Sequence, residues 1–170
     1  KQIKEEFAVS RRTVIEDGKE AVYEEAPMEV QEVVFVMDRF GYCKLLDRQT
    51  YERNQETVDQ EYKHRIPCLN TDKICIFTNT GSLHQVKVME IPFGKLRDKG
   101  TPIDNVSKYD GSREEIVFLT CFGRLTGQML LFATRMGMMK QVPAEEFITN
   151  NRTVVATKLQ EGDQVAVIRV

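Results

Sequence analysis

Tryptophan is absent from this 170-residue chain, histidine occurs twice, and the four cysteines include no close pair. With only His64 and His84, no glycine-rich phosphate loop and no serine or cysteine in a nucleophile turn, hydrolase and transferase templates lack their parts. Cys43, Cys68, Cys75 and Cys121 are separated by 25, 7 and 46 positions, whereas zinc ribbons and redox motifs need Cys-x-x-Cys pairs. Buried, reduced thiols are expected instead. No run is apolar and long enough to span a bilayer, and the opening KQIKEEFAVSRR lacks the apolar centre of a signal peptide, so a cytoplasmic protein without a membrane partner is expected. Positive charge is not in excess either: 24 basic residues face 26 acidic ones, a net charge of -2. A nucleic-acid-binding domain is usually visibly basic, but affinity follows the distribution of charge over one face rather than its sum.

What the chain has is repetition. Three β-type runs end in a turn glycine and are answered by a second run: VVFVMDRFGYCKLL at Gly41, KICIFTNTGSLHQV at Gly81 and MLLFATRMGMMKQV at Gly137. Five positions before each glycine stand Val36, Ile76 and Phe132, and seven before stand Val34, Ile74 and Leu130. Five after come Leu46, Val86 and Val142, and three after come Lys44, His84 and Lys140, so a basic or titratable side chain recurs in one register. Repeats of roughly 40 to 50 residues with a hairpin signature mark propeller-like folds. A chain of this length could bury about 70% of its unfolded surface, enough for a real core.

The periodicity predicts strands over 32–38, 42–46, 64–69, 73–78, 82–89, 103–109, 115–121, 129–134, 138–142, 153–159 and 164–170, all dense in Val, Ile, Leu and Phe and bounded by turn residues. Lys1–Ala8 reads as a helical end, followed by a first strand around Thr13–Glu16, and no helical period is read after Ala8. The turns Asn70-Thr71-Asp72, Asp110-Gly111-Ser112 and Glu161-Gly162-Asp163 are expected to open new units. Carboxylates sit in turns and solvated runs such as Glu145-Glu146, which offer no catalytic pair.

These segments resemble, in order and over nearly the whole chain, the C-terminal domain of the A subunit of bacterial type IIA DNA topoisomerases, the family of DNA gyrase and topoisomerase IV. FAVSRRTVI (Phe7–Ile15) resembles the family's F-G-x-x-R-R-T-x-I opening segment, and VVFVMDRFGYCK (Val33–Lys44) its first hairpin. ICIFTNTGSLHQVKVMEIP (Ile74–Pro92) resembles the second hairpin, and KGTPIDN (Lys99–Asn105) the connection after it. FATRMGMMKQVPAEEF (Phe132–Phe147) resembles the third unit, and LQEGDQVAVI the turn that opens the next. The resemblance implies an all-β fold, a propeller-like β-pinwheel of four-stranded blades, here about three blades plus the start of a fourth, with a short N-terminal helix. Residues 1–12 would be the end of a tether helix, and 13–170 a partial pinwheel.

The implied function is non-catalytic: to bind and bend duplex DNA, presenting it for ATP-dependent strand passage. The active-site tyrosine would lie outside this chain, and the parent enzyme would use ATP and magnesium through other domains. Implied partners are double-stranded DNA, the remainder of the parent A subunit, and the B subunit that hydrolyses ATP, in the bacterial cytoplasm near the nucleoid. Lys44, His84 and Lys140 are expected at one level of the disc edge, joined by Arg39 and Arg135 at the turns, then Arg48, Arg53, Lys63, Arg65, Lys87, Arg97, Lys99 and Arg152. A duplex held along them would be gripped through phosphates, without sequence reading. The alternative is a propeller-like protein-interaction module that binds no DNA. One departure stands out. Gyrase carries a glycine-rich basic heptapeptide after the first hairpin, whereas RNQETVDQEYKHR (Arg53–Arg65) has no glycine and holds Glu56, Asp59 and Glu61. Such a stretch, read as a loop, can neither approach phosphates closely nor attract them, which points to a topoisomerase IV-like or a divergent A subunit.

Overall fold

Each glycine turn closes an antiparallel hairpin in the computed structural model, which describes residues 29–170. The strands are β1 (Glu32–Met37), β2 (Tyr42–Asp47), β3 (His64–Leu69), β4 (Lys73–Thr78), β5 (Ser82–Lys87), β6 (Thr101–Pro102), β7 (Ile116–Cys121), β8 (Met129–Thr134), β9 (Met139–Pro143), β10 (Thr153–Val155) and β11 (Val165–Arg169). The helices are α1 (Arg48–Arg53), α2 (Gln55–Glu61), α3 (Ile103–Val106) and α4 (Phe122–Leu125). Gly41, Gly81 and Gly137 have φ of 85°, 81° and 84°, a region that side chains with a Cβ adopt at a cost. The expected helical end at Lys1–Ala8, the strand at Thr13–Glu16 and the boundary between 12 and 13 lie outside the described residues.

The hairpins grow into sheets by one rule. The next full strand pairs with the first hairpin strand: β3 with β1, β7 with β4, β11 with β8. A short strand that follows the next hairpin pairs with the second: β6 with β2, β10 with β5. The orders are therefore β3-β1-β2-β6, β10-β5-β4-β7 and β11-β8-β9. Each of the first two sheets is completed by chain from the unit after it, which ties neighbours together. Val165–Arg169, expected to begin a fourth unit, is instead the outer strand of the third sheet. The far edge of β9 has no strand partner among the described residues.

Side-chain alternation stacks the sheets. In β4, Ile74 and Ile76 enter a core shared with Val33, Phe35 and Leu45 of the first sheet, while Cys75 and Phe77 enter one shared with Leu130 and Phe132 of the third. A strand buried on both faces reads as a continuous apolar run, which ICIF (Ile74–Phe77) is. Phe77 makes edge contacts with Phe132 and Phe147, at centroid separations of 6.0 and 5.6 Å. Such pairs contribute about 0.5 to 1.5 kcal/mol beyond area burial.

The first sheet is also buried on both faces, and the second cover is helical. Val34, Val36 and Leu46 pack under Val58 and Tyr62, with Tyr51 alongside. Tyr51, Val58 and Tyr62 are spaced seven and four apart, which brings them to one side of the α1–α2 stretch. The expectation of no helix after Ala8 is thus corrected, because these few apolar residues suffice once a sheet face needs covering. The strand expected over 103–109 is likewise corrected: Pro102 ends β6 and the short helix α3 follows, its last turn closed by Ser107, whose N–H and hydroxyl both donate to the Ile103 carbonyl. Cys43, Cys75 and Cys121 are buried, Cys68 is half-buried, and the four are free thiols. Burial pushes the thiols of Cys43, Cys68 and Cys75 up to about 12.

Candidate nucleic-acid interface

The recurring register three residues after each glycine is a packing device. Lys44 is 1% exposed. Its ammonium donates to the backbone carbonyls of Lys95, Leu96 and Asp98 at 2.6, 2.9 and 2.6 Å, and lies 5.2 Å from the centre of the Tyr62 ring. Three donors meet three acceptors, the condition for burying an ammonium at tolerable cost. The 92–100 segment wraps this side chain so closely that a Cβ on Gly94 would stand 2.7 Å from Lys44 Cδ. His84 is 4% exposed, with Nδ1 at 3.0 Å from the Thr153 hydroxyl on β10 and Nε2 at 2.8 Å from a Glu114 carboxylate oxygen. Lys140 is exposed, but its ammonium donates to the Ala156 carbonyl at 3.0 Å. In all three units this residue ties the second hairpin strand to the segment crossing it. The expectation that Lys44 and His84 face a DNA edge is corrected by their burial.

Glu114 completes the His84 cluster, a role that its place in an acidic turn run does not signal. Burial pushes its carboxyl up, but hydrogen bonds from threonine hydroxyls and the Asp110 N–H, together with His84, outweigh that and hold it below the usual glutamate range. A depressed carboxyl contributes stability that is present above the unfolded-state value and lost as pH falls through the folded-state one. The melting temperature should therefore hold steady down to about pH 5 and decline below about pH 4. Thermal melts by circular dichroism across pH check this, and the Glu114→Gln variant should start lower at neutral pH and decline less.

The other basic residues separate by their partners. Arg48 pairs with Glu32 and Glu52, Arg65 with Asp59, and Arg152 with Glu90. Arg39, Arg53, Lys63, Lys87, Arg97, Lys99 and Arg135 are exposed and form no ion pair among the described residues. Four of these seven converge. Arg39, from the first turn, Lys63, between α2 and β3, and Arg97 and Lys99, from the segment held by Lys44, line one open groove of about 710 Å³. Lys99 stands 4.2 Å from the centre of the Tyr42 ring.

Acidic residues line the same groove, but most are engaged. An Asp38 carboxylate oxygen accepts from the N–H groups of Phe40 and Tyr42 at 2.8 and 2.9 Å. Asp98 accepts from the Lys95 N–H at 2.7 Å, and Asp59 faces Arg65 at 2.9 Å. Glu61 alone of the four lacks such a bond among the described residues; neutral N–H donors leave Asp38 and Asp98 charged, so the groove lining, Arg65 included, carries five cations against four carboxylates, a small positive excess. Arg48 lines a different cleft, and Arg135, Lys87 and Arg152 lie apart from this groove. The Arg53–Arg65 stretch, expected as a loop, is helical over Gln55–Glu61, and its end supplies Lys63 to the groove. Among the described residues there is no cluster of three metal-ligating side chains, and no helix is long and apolar enough to cross a membrane.

The three-sheet arrangement recurs in solved structures. The crystal structure of the C-terminal domain of DNA topoisomerase IV superimposes with a TM-score of 0.70 at 23% identity, over 83% of this chain and 46% of that one. The E. coli ParC C-terminal domain gives 0.62 at 15% identity, over 81% of this chain and 56% of that one, and the DNA gyrase A C-terminal domain 0.52 at 18%, over 81% and 47%. The fold is the β-pinwheel of these C-terminal domains. In sequence, the chain is similar to the gyrase A protein of Lawsonia intracellularis, 28% identical over 98% of this chain and 22% of that protein. It is 27% identical to the gyrase A protein of Helicobacter pylori over 99% of this chain and 22% of that one, and 26% to that of Staphylococcus epidermidis over 99% and 20%. The pinwheel chain thus spans about a fifth of the length of the curated relatives it matches. No family model matches it.

Proposed function

We propose that this pinwheel binds and bends duplex DNA as the accessory domain of a type IIA topoisomerase, presenting a DNA segment for ATP-dependent strand passage. The observation that carries the reading is the groove in which Arg39, Lys63, Arg97 and Lys99 converge without ion-pair partners among the described residues and cations outnumber carboxylates, in a chain that is acidic as a whole. Phosphate contacts of this kind give affinity without sequence reading. The chemistry of strand cleavage and the use of ATP and magnesium belong, in this reading, to other parts of the parent enzyme in the bacterial cytoplasm. The experiment is fluorescence anisotropy of a labelled duplex of about 30 base pairs against salt. The expected result is binding at low salt, with log affinity falling linearly against log salt by about 0.9 per phosphate contact.

The subtype reading is topoisomerase IV-like, since acidic α2 stands where gyrase carries its glycine-rich basic element. Relaxing a closed plasmid with a nicking-closing enzyme in the presence of the domain should then give only a small shift in linking number. A large, one-signed shift would return the domain to the gyrase class. The protein-interaction reading draws on Met136, Met138, Met139 and Val155, exposed apolar residues on β9, its turn and β10. Absence of duplex binding at low salt would favour it.

A further inference from the structure

We propose that the hairpin tips of the first and third sheets are wedges: Phe40 and Met136 press into a base step of the duplex, while Arg39 and Arg135 hold the flanking phosphates. The proposal rests on the DNA-binding reading and adds how the bend is produced. The residue before each turn glycine is Phe40, Thr80 or Met136, and the residue two before is Arg39, Asn79 or Arg135. The second tip is consumed by its neighbours. The N–H of Asn79 donates to the Glu115 carbonyl and its side-chain oxygen accepts from the Glu115 N–H, each at 2.9 Å, while the Thr80 hydroxyl reaches Glu114 at 3.1 Å. The first and third tips instead hold out an arginine followed by a large apolar side chain. Phe40 is 73% exposed and Met136 57%.

Both tips are held by backbone hydrogen bonds, which lowers the ordering cost when they engage. At the first, Asp38 gathers the N–H groups of Phe40 and Tyr42, and the Gly41 carbonyl accepts from Ile103 N–H at 2.8 Å. At the third, Met136 N–H donates to Asp163 at 3.0 Å and Arg135 N–H to the Gln164 carbonyl at 2.8 Å. The Arg39 guanidinium carbon lies 5.1 Å from the Phe40 ring centre, and Arg39 lines the groove of uncommitted cations, so the first wedge adjoins the charges that would anchor phosphates. Phenylalanine and methionine are side chains that unstack base steps from the minor groove, kinking the duplex by about 20 to 90°.

The test uses the whole chain and a duplex of about 30 base pairs with dyes at its ends and 2-aminopurine at a central TA step, a step that deforms easily. Binding of the unaltered chain should raise energy transfer between the ends and brighten 2-aminopurine several-fold. Phe40→Ala/Met136→Ala, at saturating protein, should lose most of both signals while Arg39 and Arg135 preserve the salt slope. Both side chains are exposed, and an unchanged melting temperature verifies folding. A double variant that bends and unstacks as well as the unaltered chain overturns the proposal. Duplex binding by the unaltered chain with dark 2-aminopurine overturns the wedge alone, whereas absence of duplex binding removes the DNA reading and the wedge together. Tighter binding to single strands, lost in Phe40→Ala, would make the tips a stacking platform and overturn the wedge.

Discussion

Lys63→Ala/Arg97→Ala/Lys99→Ala should weaken duplex binding by roughly two to three orders of magnitude at about 0.1 M salt, for all sequences alike. The three residues sit in one groove with Arg39, and none forms an ion pair among the described residues, so truncation leaves no carboxylate unpaired. Three contacts at about 0.9 counterions each should take about 2.7 off the slope of log affinity against log salt. Arg48→Ala/Arg152→Ala removes two cations that already face Glu32, Glu52 and Glu90. That variant should leave the slope where it was. Anisotropy titrations at four or five salt concentrations separate the two cases, and equal slopes for both variants would remove the groove from the interface.

The fold was legible because hairpin units declare themselves locally. Strands 64–69, 73–78 and 129–134 match their sequence patterns to the residue, and the turn glycines needed no tertiary information. What escaped depends on neighbours. Tyr51, Val58 and Tyr62 carry a helical spacing, but three apolar positions in an otherwise charged stretch decide nothing until a sheet face lies beneath them. Ile103 reads as strand until Pro102 and the Ser107 bonds turn it into a helix. Val165–Arg169 reads equally well as the start of a unit or the end of one, because pairing is not written in a single strand.

The repeated register was legible, but what Lys44 and His84 face was not. Equivalent positions in repeats do project equivalently, and Lys44, His84 and Lys140 do share a place. That place faces the crossing segment, and the carbonyls that receive Lys44 lie more than fifty positions further along the chain. Uncommitted cations were not distinguishable from committed ones either, since nothing in the sequence says that Asp59 reaches Arg65 and not Lys63. Charge counting over the whole chain gave -2 and hid a groove in which cations outnumber carboxylates.

Lys44→Met should cost about 3 kcal/mol of stability, because three half-buried carbonyls lose their donor while the aliphatic stem keeps its packing. For a chain of this size that lowers the melting temperature by roughly 6 to 12 °C. Lys44→Glu should cost more, placing a carboxylate against three carbonyl dipoles in a site 1% exposed. Either change also releases the segment that carries Arg97 and Lys99 into the groove, so duplex affinity should fall although Lys44 touches no phosphate. The two explanations of that loss part cleanly. A phosphate contact at Lys44 requires an unchanged melting temperature and a salt slope reduced by about 0.9. A buried anchor requires the melting temperature to fall, with Lys44→Met titrated at low temperature keeping the full slope as the segment folds back onto its ligand. Differential scanning fluorimetry and the salt titration, run on the same preparation, decide between them.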